Sequence, residues 1–94
     1  MPLTFEWDLR KARSNIAKHG VAFEEASTVF GDPLSLTILD PEHSLAESRY
    51  ITMGRAFGGK LLVVVHTDRG DNMRIISGRP ASRRERKFYE EIIE

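Results

Sequence analysis

The segment 60–67, KLLVVVHT, constrains the fold of this chain more than any other stretch. Its residues are apolar at both odd and even positions, so a strand formed here would be buried on both faces, as central strands are. Its core, LLVVV, is the longest uninterrupted apolar run, far short of the roughly 20 residues that a membrane-spanning helix needs. The sequence therefore predicts a central strand of a sheet.

Three other segments are predicted strands joined by short connections, and the first of them alternates between apolar and polar residues. They are residues 34–39, 48–57 and 73–79. Gly58-Gly59 is a hairpin signal, and residues 68–72 form another turn. Short connections favour neighbouring antiparallel strands, so we expect a four-stranded antiparallel sheet.

Two helices are predicted before the strands. Asp8 and Gly20 suit the N-cap and C′ positions of a helix over residues 9–19. A second helix is expected over 23–30, where Gly31-Asp32-Pro33 stops it. The apolar stripes would be Leu9, Ala12 and Ile16 in the first helix, and Phe23, Ala26 and Phe30 in the second.

A third helix closes the chain. Ser82 and Glu85 form a capping box, so this helix should begin near Arg83. Its expected buried stripe is Phe88, Tyr89, Ile92 and Ile93. The order α-α-β-β-β-β-α predicts one α+β domain over residues 1–94, with two N-terminal helices and one C-terminal helix packed on the sheet.

Composition excludes several classes of protein. The chain has 94 residues, no cysteine and a formal net charge of +0. Without cysteine there is no disulfide, thiolate zinc site or thiol nucleophile. The N-terminus, MPLTFEWD, lacks the basic and apolar regions of a secretory signal, so we expect a cytoplasmic protein. The zero net charge argues against a nucleic-acid coating protein but allows a local cationic site.

Positive charge is concentrated around the start of the last helix. We call this group the cationic cluster: Arg79, Arg83, Arg84, Arg86 and Lys87. Helix N-termini favour acidic residues, so each exposed cation there costs about 0.3–1 kcal/mol. A phosphate would offset this cost by meeting helix N–H groups and guanidinium groups together. A solvated helix face that tolerates the cost is an equally good interpretation.

Other cations are candidates to join this cluster. Arg74 and Arg79 lie five residues apart on one predicted strand and so on opposite faces, whereas Arg49 and Arg55 share a face. Lys18 ends the first helix together with His19, where cations suit the helix dipole. A structural role is therefore the favoured interpretation of Lys18 and His19.

Few residues suit proton transfer. His66 lies on the central strand, where a structural role is the more common one, and Glu47 opens the second strand. Glu85 would be ionised among arginines and could act as a base, although capping already accounts for it. Tyr89 could donate to a phosphate or simply pack in the core. The sequence contains no His-x-His pair, acidic triad or glycine-rich phosphate loop, so we expect neither a metal nor a cofactor.

Two blocks of the sequence resemble the BrnT family, the toxins of bacterial type II toxin–antitoxin modules. The first block, W-D-x-x-K-x-x-x-N-x-x-K-H-G-V-x-F-E-E-A, begins at Trp7, and the second, R-I-I-S-x-R-x-A-S-R-R-E-R-x-x-Y, begins at Arg74. The resemblance implies a fold similar to RelE-type ribonucleases and RNA cleavage that inhibits translation. It also implies a cognate antitoxin with a ribbon-helix-helix part, through which the complex binds operator DNA. A homodimer within that complex is left open.

Metal-free RNA cleavage needs a base for the 2′-OH, an acid for the 5′-oxygen and cations for the charge that develops on phosphorus. In this interpretation Arg79, Arg83 and Arg86 hold the phosphate, and His66 or Glu47 transfers protons. A second rank of substrate-binding residues is Arg49, Arg55, Arg74, Arg84, Tyr89 and Lys18.

We therefore interpret the chain as a metal-independent endoribonuclease toxin. One alternative is a non-catalytic nucleic-acid-binding or protein-interaction module that uses the same cationic face. Another is that this face grips the acidic part of an antitoxin, with the RNA chemistry elsewhere. Removing charge distinguishes a binder from a nuclease, because single substitutions should reduce a nuclease's rate far more than its binding.

Overall fold

A computed structural model describes residues 3–42 and 48–93. Within these residues the chain is an α+β protein with three α-helices and five strands. In chain order the elements are β1 (Thr4–Glu6), α1 (Leu9–His19), α2 (Phe23–Ser27), a 3₁₀ helix (Thr28–Gly31), β2 (Leu36–Leu39), β3 (Arg49–Arg55), β4 (Leu61–Arg69), β5 (Asn72–Pro80) and α3 (Arg83–Ile93).

The five strands form one sheet in the order β1-β5-β4-β3-β2. Strands β2 to β5 make the predicted antiparallel meander, and β4 is its central strand, with Leu62 and Val64 fully buried. The expectation of four antiparallel strands was wrong by one, because β1 adds to the edge of β5 in parallel and makes the sheet mixed. This strand has only 3 residues, too few to show an alternating pattern in the sequence.

Helix α1 has the predicted bounds and caps. Asp8 Oδ1 accepts hydrogen bonds from the backbone N–H groups of Arg10 (2.8 Å) and Lys11 (3.2 Å), and Gly20 takes the left-handed conformation with φ 71°. The predicted apolar stripe was wrong for Leu9 and Ile16, which are 68% and 50% exposed, whereas Ala12 packs against the core. Asn15 is the buried residue of this helix instead.

Asn15 explains how α1 is attached to the sheet. Strand β1 pairs with residues 72–74 of β5, so the rest of that edge has no strand neighbour among residues 3–42 and 48–93. Asn15 Nδ2 donates to the carbonyl oxygen of Gly78 (2.8 Å), and Asn15 Oδ1 accepts from the Gly78 N–H (3.2 Å). The carboxamide thus satisfies the backbone groups that a strand would otherwise pair. A third bond, from Nδ2 to the Val21 carbonyl oxygen (2.8 Å), fixes the turn after the helix.

The main core lies between one face of the sheet and the segment that follows α1. Phe23, Ala26 and Val29 pack there against Leu62, Val64 and Ile75. The helix predicted over 23–30 ends earlier, at Ser27, and tightens into the 3₁₀ helix up to Gly31. The hydroxyls of Ser27 and Thr28 donate to carbonyl oxygens three residues back, which competes with regular α-helical bonding.

Helix α3 covers part of the opposite face. The predicted capping box is present: Glu85 N–H donates to Ser82 Oγ (3.2 Å), and Ser82 N–H donates to Glu85 Oε1 (2.8 Å). The predicted buried stripe was largely wrong, because Tyr89 is buried whereas Phe88 and Ile92 are 54% and 51% exposed. The side chain of Ile93 lies outside the described residues.

An open apolar groove remains between α3 and the sheet. Its volume is about 500 Å³ including the space open to solvent, and it is lined by Leu36, Ile38, Ile51, Met53, Val63, Glu85 and Phe88. None of the helices in the described ranges is long and apolar enough to cross a membrane.

Candidate functional site

Arg79 and Glu85 form the most strongly hydrogen-bonded charged pair of the cationic cluster. Arg79 Nη1 and Nη2 donate to the two carboxylate oxygens of Glu85, at 2.7 and 2.9 Å. The bonds from Arg79, helped by those from Ser82, lower the pKa of Glu85 to about 2, although burial opposes the shift. The pair joins β5 to the first turn of α3, and the charge of Arg79 is balanced inside the protein.

The other members of the cationic cluster are exposed. Arg83, Arg84, Arg86 and Lys87 point to solvent, and within the described residues their side chains form no hydrogen bond or salt bridge. Helical spacing places Arg83 and Arg86 on the side of α3 that also carries Glu90. Arg84 lies on the other side, four residues before the half-exposed Phe88. The guanidinium groups of Arg83 and Arg86 can therefore contact the same anion.

Arg55 is a predicted second-rank residue from another element that the fold brings to α3. It ends β3 opposite Leu61, while Arg79 is opposite Val63 on the same neighbouring strand. Its guanidinium carbon lies 5.7 Å from the centre of the Tyr89 ring, and its Nη2 lies 3.7 Å from Glu90 Oε2. Arg55 thus flanks the side of α3 that carries Arg86.

Arg49 and Arg74 lie at the other end of the sheet, since both are opposite Thr67 of β4. Arg49 and Arg55 share a face as predicted, but their six-residue separation is about 20 Å along the strand. Arg74 Nη1 donates to Glu6 Oε2 of β1 (2.7 Å). The structure does not bring these two arginines to the cationic cluster.

The prediction that Arg74 and Arg79 point to opposite faces was wrong. The pairing of β4 with β5 shifts by one residue between Val65 and His66. Because directly opposed residues of antiparallel strands point to the same side, Arg74 shares a face with Thr67, and Arg79 shares that face with Val63. The bulge adds the one residue that parity counting could not foresee.

His66 lies on the opposite face of the sheet from the cationic cluster. It is 4% exposed, packs edge-on against Phe30 with ring centres 4.8 Å apart, and shares a hydrogen bond of 2.7 Å between Nε2 and Thr52 Oγ1. Burial lowers its pKa, although Asp68 partly opposes that shift. Its Nδ1 is buried without a hydrogen-bond partner among the described residues. The sheet thus separates His66 from the arginines.

The second candidate for proton transfer, Glu47, lies outside the described residues. Within residues 3–42 and 48–93 no group of three or more histidine, aspartate or glutamate side chains is arranged to hold a metal ion. The arginines are therefore the chemically distinctive feature of the described site.

Tyr89 uses its hydroxyl inside the protein. It is 1% exposed, and its hydroxyl donates to Asp32 Oδ2 (2.6 Å). Burial, together with Asp32, raises the pKa of Tyr89 to about 12. Asp32 also accepts the backbone N–H groups of Arg55 (2.8 Å) and Leu34 (2.9 Å). The packing interpretation of Tyr89 thus agrees with the structure.

Asp32 was missed by sequence reasoning, which interpreted Gly31-Asp32-Pro33 only as a helix stop. Aspartate at a turn commonly accepts a backbone N–H two residues on, as it does here from Leu34, and this was the available signal. Its bonds to Arg55 and Tyr89 come from distant parts of the sequence. They tie the 3₁₀ helix, β3 and α3 together under the site.

Lys18 lies in a separate cleft between α1 and β5. This cleft, of about 410 Å³ including the space open to solvent, is lined by Lys11, Ser14, Asn15, Lys18, His19, Ile76 and Ser77. Sequence reasoning singled out Lys18 and His19 but not Lys11. The signal was available, because residues seven apart lie on the same side of a helix.

Two comparisons with known proteins match this chain to the same family. A family model described as "Ribonuclease toxin, BrnT, of type II toxin-antitoxin system" matches residues 7–85, from before α1 to the first turn of α3. The 1.1 Å crystal structure of the Brucella abortus ribonuclease toxin BrnT is similar to this chain, with a TM-score of 0.64 and 25% sequence identity. That match covers 87% of this chain and 100% of the Brucella chain. No curated protein matches the chain significantly.

Proposed function

Because this chain belongs to the BrnT family of ribonuclease toxins of type II toxin–antitoxin systems, we propose that it is a metal-independent endoribonuclease that cleaves RNA and inhibits translation. The observation that carries the proposed site is the pair of exposed arginines, Arg83 and Arg86, beside the fixed Arg79–Glu85 pair. The site would act in the cytoplasm, where a cognate antitoxin neutralises the toxin.

The proposed reaction needs no external reactant. The 2′-oxygen of one nucleotide attacks the adjacent phosphorus while the bond to the 5′-oxygen breaks, which leaves a 2′,3′-cyclic phosphate and a 5′-hydroxyl. A proton leaves the 2′-hydroxyl and one reaches the 5′-oxygen. Negative charge accumulates on the phosphate oxygens between these events, and fixed cations stabilise it.

In this proposal Arg83 and Arg86 bind the phosphate directly. Both side chains are exposed on one side of the first turns of α3, and a guanidinium offers several N–H donors in a planar arrangement that suits phosphate. Arg55 flanks the same side of α3 and would contact the RNA strand next to the phosphate that is cleaved. Arg84 points to the other side of the helix, so its contribution would be smaller.

Arg79 has a different proposed role. Two of its N–H groups are given to Glu85 and one to the Pro80 carbonyl oxygen (3.3 Å), which leaves two of the five that a guanidinium carries. Arg79 would therefore hold the start of α3 in place and offer its remaining donors to the phosphate. Replacing Arg79 should therefore shift the start of α3 and also remove a positive charge from the phosphate site.

Electrostatic stabilisation by the arginines would supply most of the rate enhancement. His66 is buried on the other face of the sheet from the cationic cluster, so it cannot reach a phosphate held by Arg83 and Arg86, and proton transfer by Glu47 stays a prediction. Glu85 is a poor base, because a carboxyl whose pKa is about 2 has little affinity for a proton.

The test combines a cellular and a purified assay. The wild-type chain, Arg83→Ala/Arg86→Ala and a control, Arg10→Ala/Arg13→Ala on the exposed side of α1, are induced in bacteria without the antitoxin, and new RNA 5′ ends are mapped. Purified wild type should cleave RNA in EDTA, and the α3 variant should lose about 100-fold or more in rate. Thermal unfolding checks that each variant is folded.

Each other outcome has a definite meaning. Cleavage that requires an added divalent metal would refute metal independence. Full activity in the α3 variant would keep the nuclease but reject this site. RNA binding without cleavage by the wild type would favour the non-catalytic binding module.

We also propose that the cognate antitoxin carries a ribbon-helix-helix part, so that this chain reaches operator DNA only through it. The proposal is supported by the family resemblance rather than by any feature of the surface. Purifying the chain with the product of the neighbouring gene, then measuring operator binding with and without each component, tests it. Operator binding by this chain alone would contradict it, and the mass of the complex would show whether it contains a homodimer.

A further inference from the structure

The cleft between α1 and β5 gathers cations and hydroxyls that the proposed reaction centre does not use. Lys11, Lys18 and His19 come from α1 with Ser14, and Ser77 comes from β5. The cleft is open to solvent, and the centre of a water-sized sphere can move through about 170 Å³ of it, many times the roughly 10–15 Å³ that is enough to hold one water molecule. It can therefore admit a group as large as a phosphodiester.

The helix dipole does not explain this arrangement. Cations at the C-terminal end of a helix are favourable, which accounts for Lys18 and His19. Lys11 is in the first turn, where a cation is unfavourable, yet it lies on the same side about 10.5 Å away along the axis. Neither lysine forms a salt bridge within the described residues. The charge of Lys11 helps to lower the pKa of Asp8, but its ammonium group makes no hydrogen bond with that carboxylate, so both ammonium groups can contact an added anion.

The floor of the cleft is fixed. Asn15 lies between the two lysines, and its carboxamide makes three hydrogen bonds, two with Gly78 and one with the Val21 carbonyl oxygen. These bonds hold α1 against β5, so the helix positions that carry the two lysines are fixed relative to Ser77 before any ligand arrives. A site formed in advance binds without the cost of ordering its elements.

We propose that this cleft binds a backbone phosphate of the RNA strand, next to the phosphate that is cleaved. Lys11 and Lys18 supply charge, and the hydroxyls of Ser14 and Ser77 donate hydrogen bonds. Ser77 precedes Arg79 by two residues on β5, a separation of about 7 Å, so the cleft adjoins the cationic cluster. That the ligand is RNA rests on the proposed ribonuclease function.

The test measures binding without cleavage. The probe is a short 2′-O-methyl RNA, which lacks the attacking hydroxyl, and its affinity is measured over a range of salt concentrations. Lys11→Gln/Lys18→Gln removes the two charges of the cleft, and Arg10→Gln/Arg13→Gln removes two charges from the other side of the same helix. Both variants have the same net charge, and their melting temperatures verify folding.

We expect the cleft variant to bind about ten-fold more weakly or worse and the control to bind like the wild type. The slope of log affinity against log salt should fall by about 0.7 for each lost phosphate contact in the cleft variant only. Equal losses in both variants, or none in either, would overturn the proposal, as would a wild type that does not bind the probe.

Two further measurements distinguish this proposal from the proposed nuclease activity and from binding of an acidic protein. Cleavage of unmodified RNA is measured in parallel, so a wild type that binds but does not cleave would reject the nuclease and keep the cleft. A poly-glutamate peptide is titrated as an acidic protein probe. Lysine-dependent binding of that peptide, with RNA binding unchanged in the variant, would assign the cleft to an acidic protein partner and overturn an RNA phosphate site.

Discussion

At the scale of single residues, the two hydrogen bonds between Arg79 and Glu85 fix both side chains and leave Glu85 unavailable as a base. The sequence shows a glutamate among arginines and cannot tell whether it acts as a base or as a partner. Two short hydrogen bonds from the guanidinium, together with the capping box, occupy both carboxylate oxygens. The exposed arginines nearby keep their charge available because Glu85 is already paired.

Replacing Glu85 by glutamine should lower the free energy of unfolding by about 1–2 kcal/mol near neutral pH, a value reduced by the partial exposure of the pair. The pKa of Glu85 in the folded protein, about 2, is below its usual 4.5. Its contribution is therefore complete above about pH 4.5 and is lost as the pH falls towards 2. Urea unfolding of both proteins at several pH values measures the difference.

Glu91→Gln is the matched control, since Glu91 is exposed in the same helix. Its effect on the free energy of unfolding should stay within about 0.5 kcal/mol. A wild-type advantage over Glu85→Gln that persists unchanged down to acid pH would contradict an ionic origin.

His66 should titrate below its usual pKa of 6.5, because burial disfavours the charged imidazolium. The folded state then binds the proton less tightly than the unfolded state. The contribution of His66 to stability is present above pH 6.5 and decreases as the pH falls through and below that value. Following the imidazole C–H resonances by NMR tests this, and titration of His66 at or above 6.5 would disagree.

At the scale of elements, the sequence identified the ends of helices better than their buried faces. Asp8, Gly20 and the Ser82–Glu85 box act through neighbours within a few residues, so local rules located them. A buried face depends on where the helix docks. Helix α1 docks on the edge of β5 through a polar residue, and α3 covers only part of one face of the sheet. The spacing of apolar residues alone therefore gave largely wrong buried faces for both helices.

Asn15 should be the most sensitive polar residue of α1. Replacing it by alanine removes three hydrogen bonds and leaves buried backbone groups of Gly78 without partners. We expect the free energy of unfolding to fall by about 2–4 kcal/mol. Chemical denaturation measures it, with Ser14→Ala as the adjacent exposed control, which should change stability by less than about 0.5 kcal/mol. A loss below about 1 kcal/mol for Asn15→Ala would show that α1 is held mainly by other contacts.

At the scale of the whole molecule, the grouping of the arginines depends on long-range features that no local pattern encodes. The bulge between Val65 and His66 changes which side chains of β5 share a face. The direction of β3 separates Arg49 from Arg55, and the placement of α3 decides which sheet residues it meets. Sequence reasoning could find the arginines and the central strand, but only the three-dimensional arrangement separates His66 from them.

The two faces of the sheet are covered unequally, and this should appear in hydrogen exchange. One face is closed by the core that includes Phe23 and Val29, whereas α3 leaves Phe88 half exposed beside the apolar groove. Within the described residues α3 is anchored to the rest of the chain mainly through Arg79–Glu85, Tyr89–Asp32 and the weaker Arg55–Glu90 contact. Local opening of α3 breaks these contacts and uncovers the Tyr89 ring but leaves the main core around Phe23 and Val29 in place, so the amides of α3 should exchange faster than those of β4.

Replacing Tyr89 by phenylalanine tests this arrangement, because it removes the hydroxyl that donates to Asp32 and keeps the ring in the core. Exchange in the second half of α3 should accelerate about ten-fold, since the lost bond is worth about 1–2 kcal/mol and opening there is local. Amide exchange in β4 should accelerate less than exchange in α3. Equal acceleration in α3 and β4 would mean that α3 unfolds only with the whole molecule. It would then be held as firmly as the central strand, and the bond between Tyr89 and Asp32 would contribute to global stability instead of local stability.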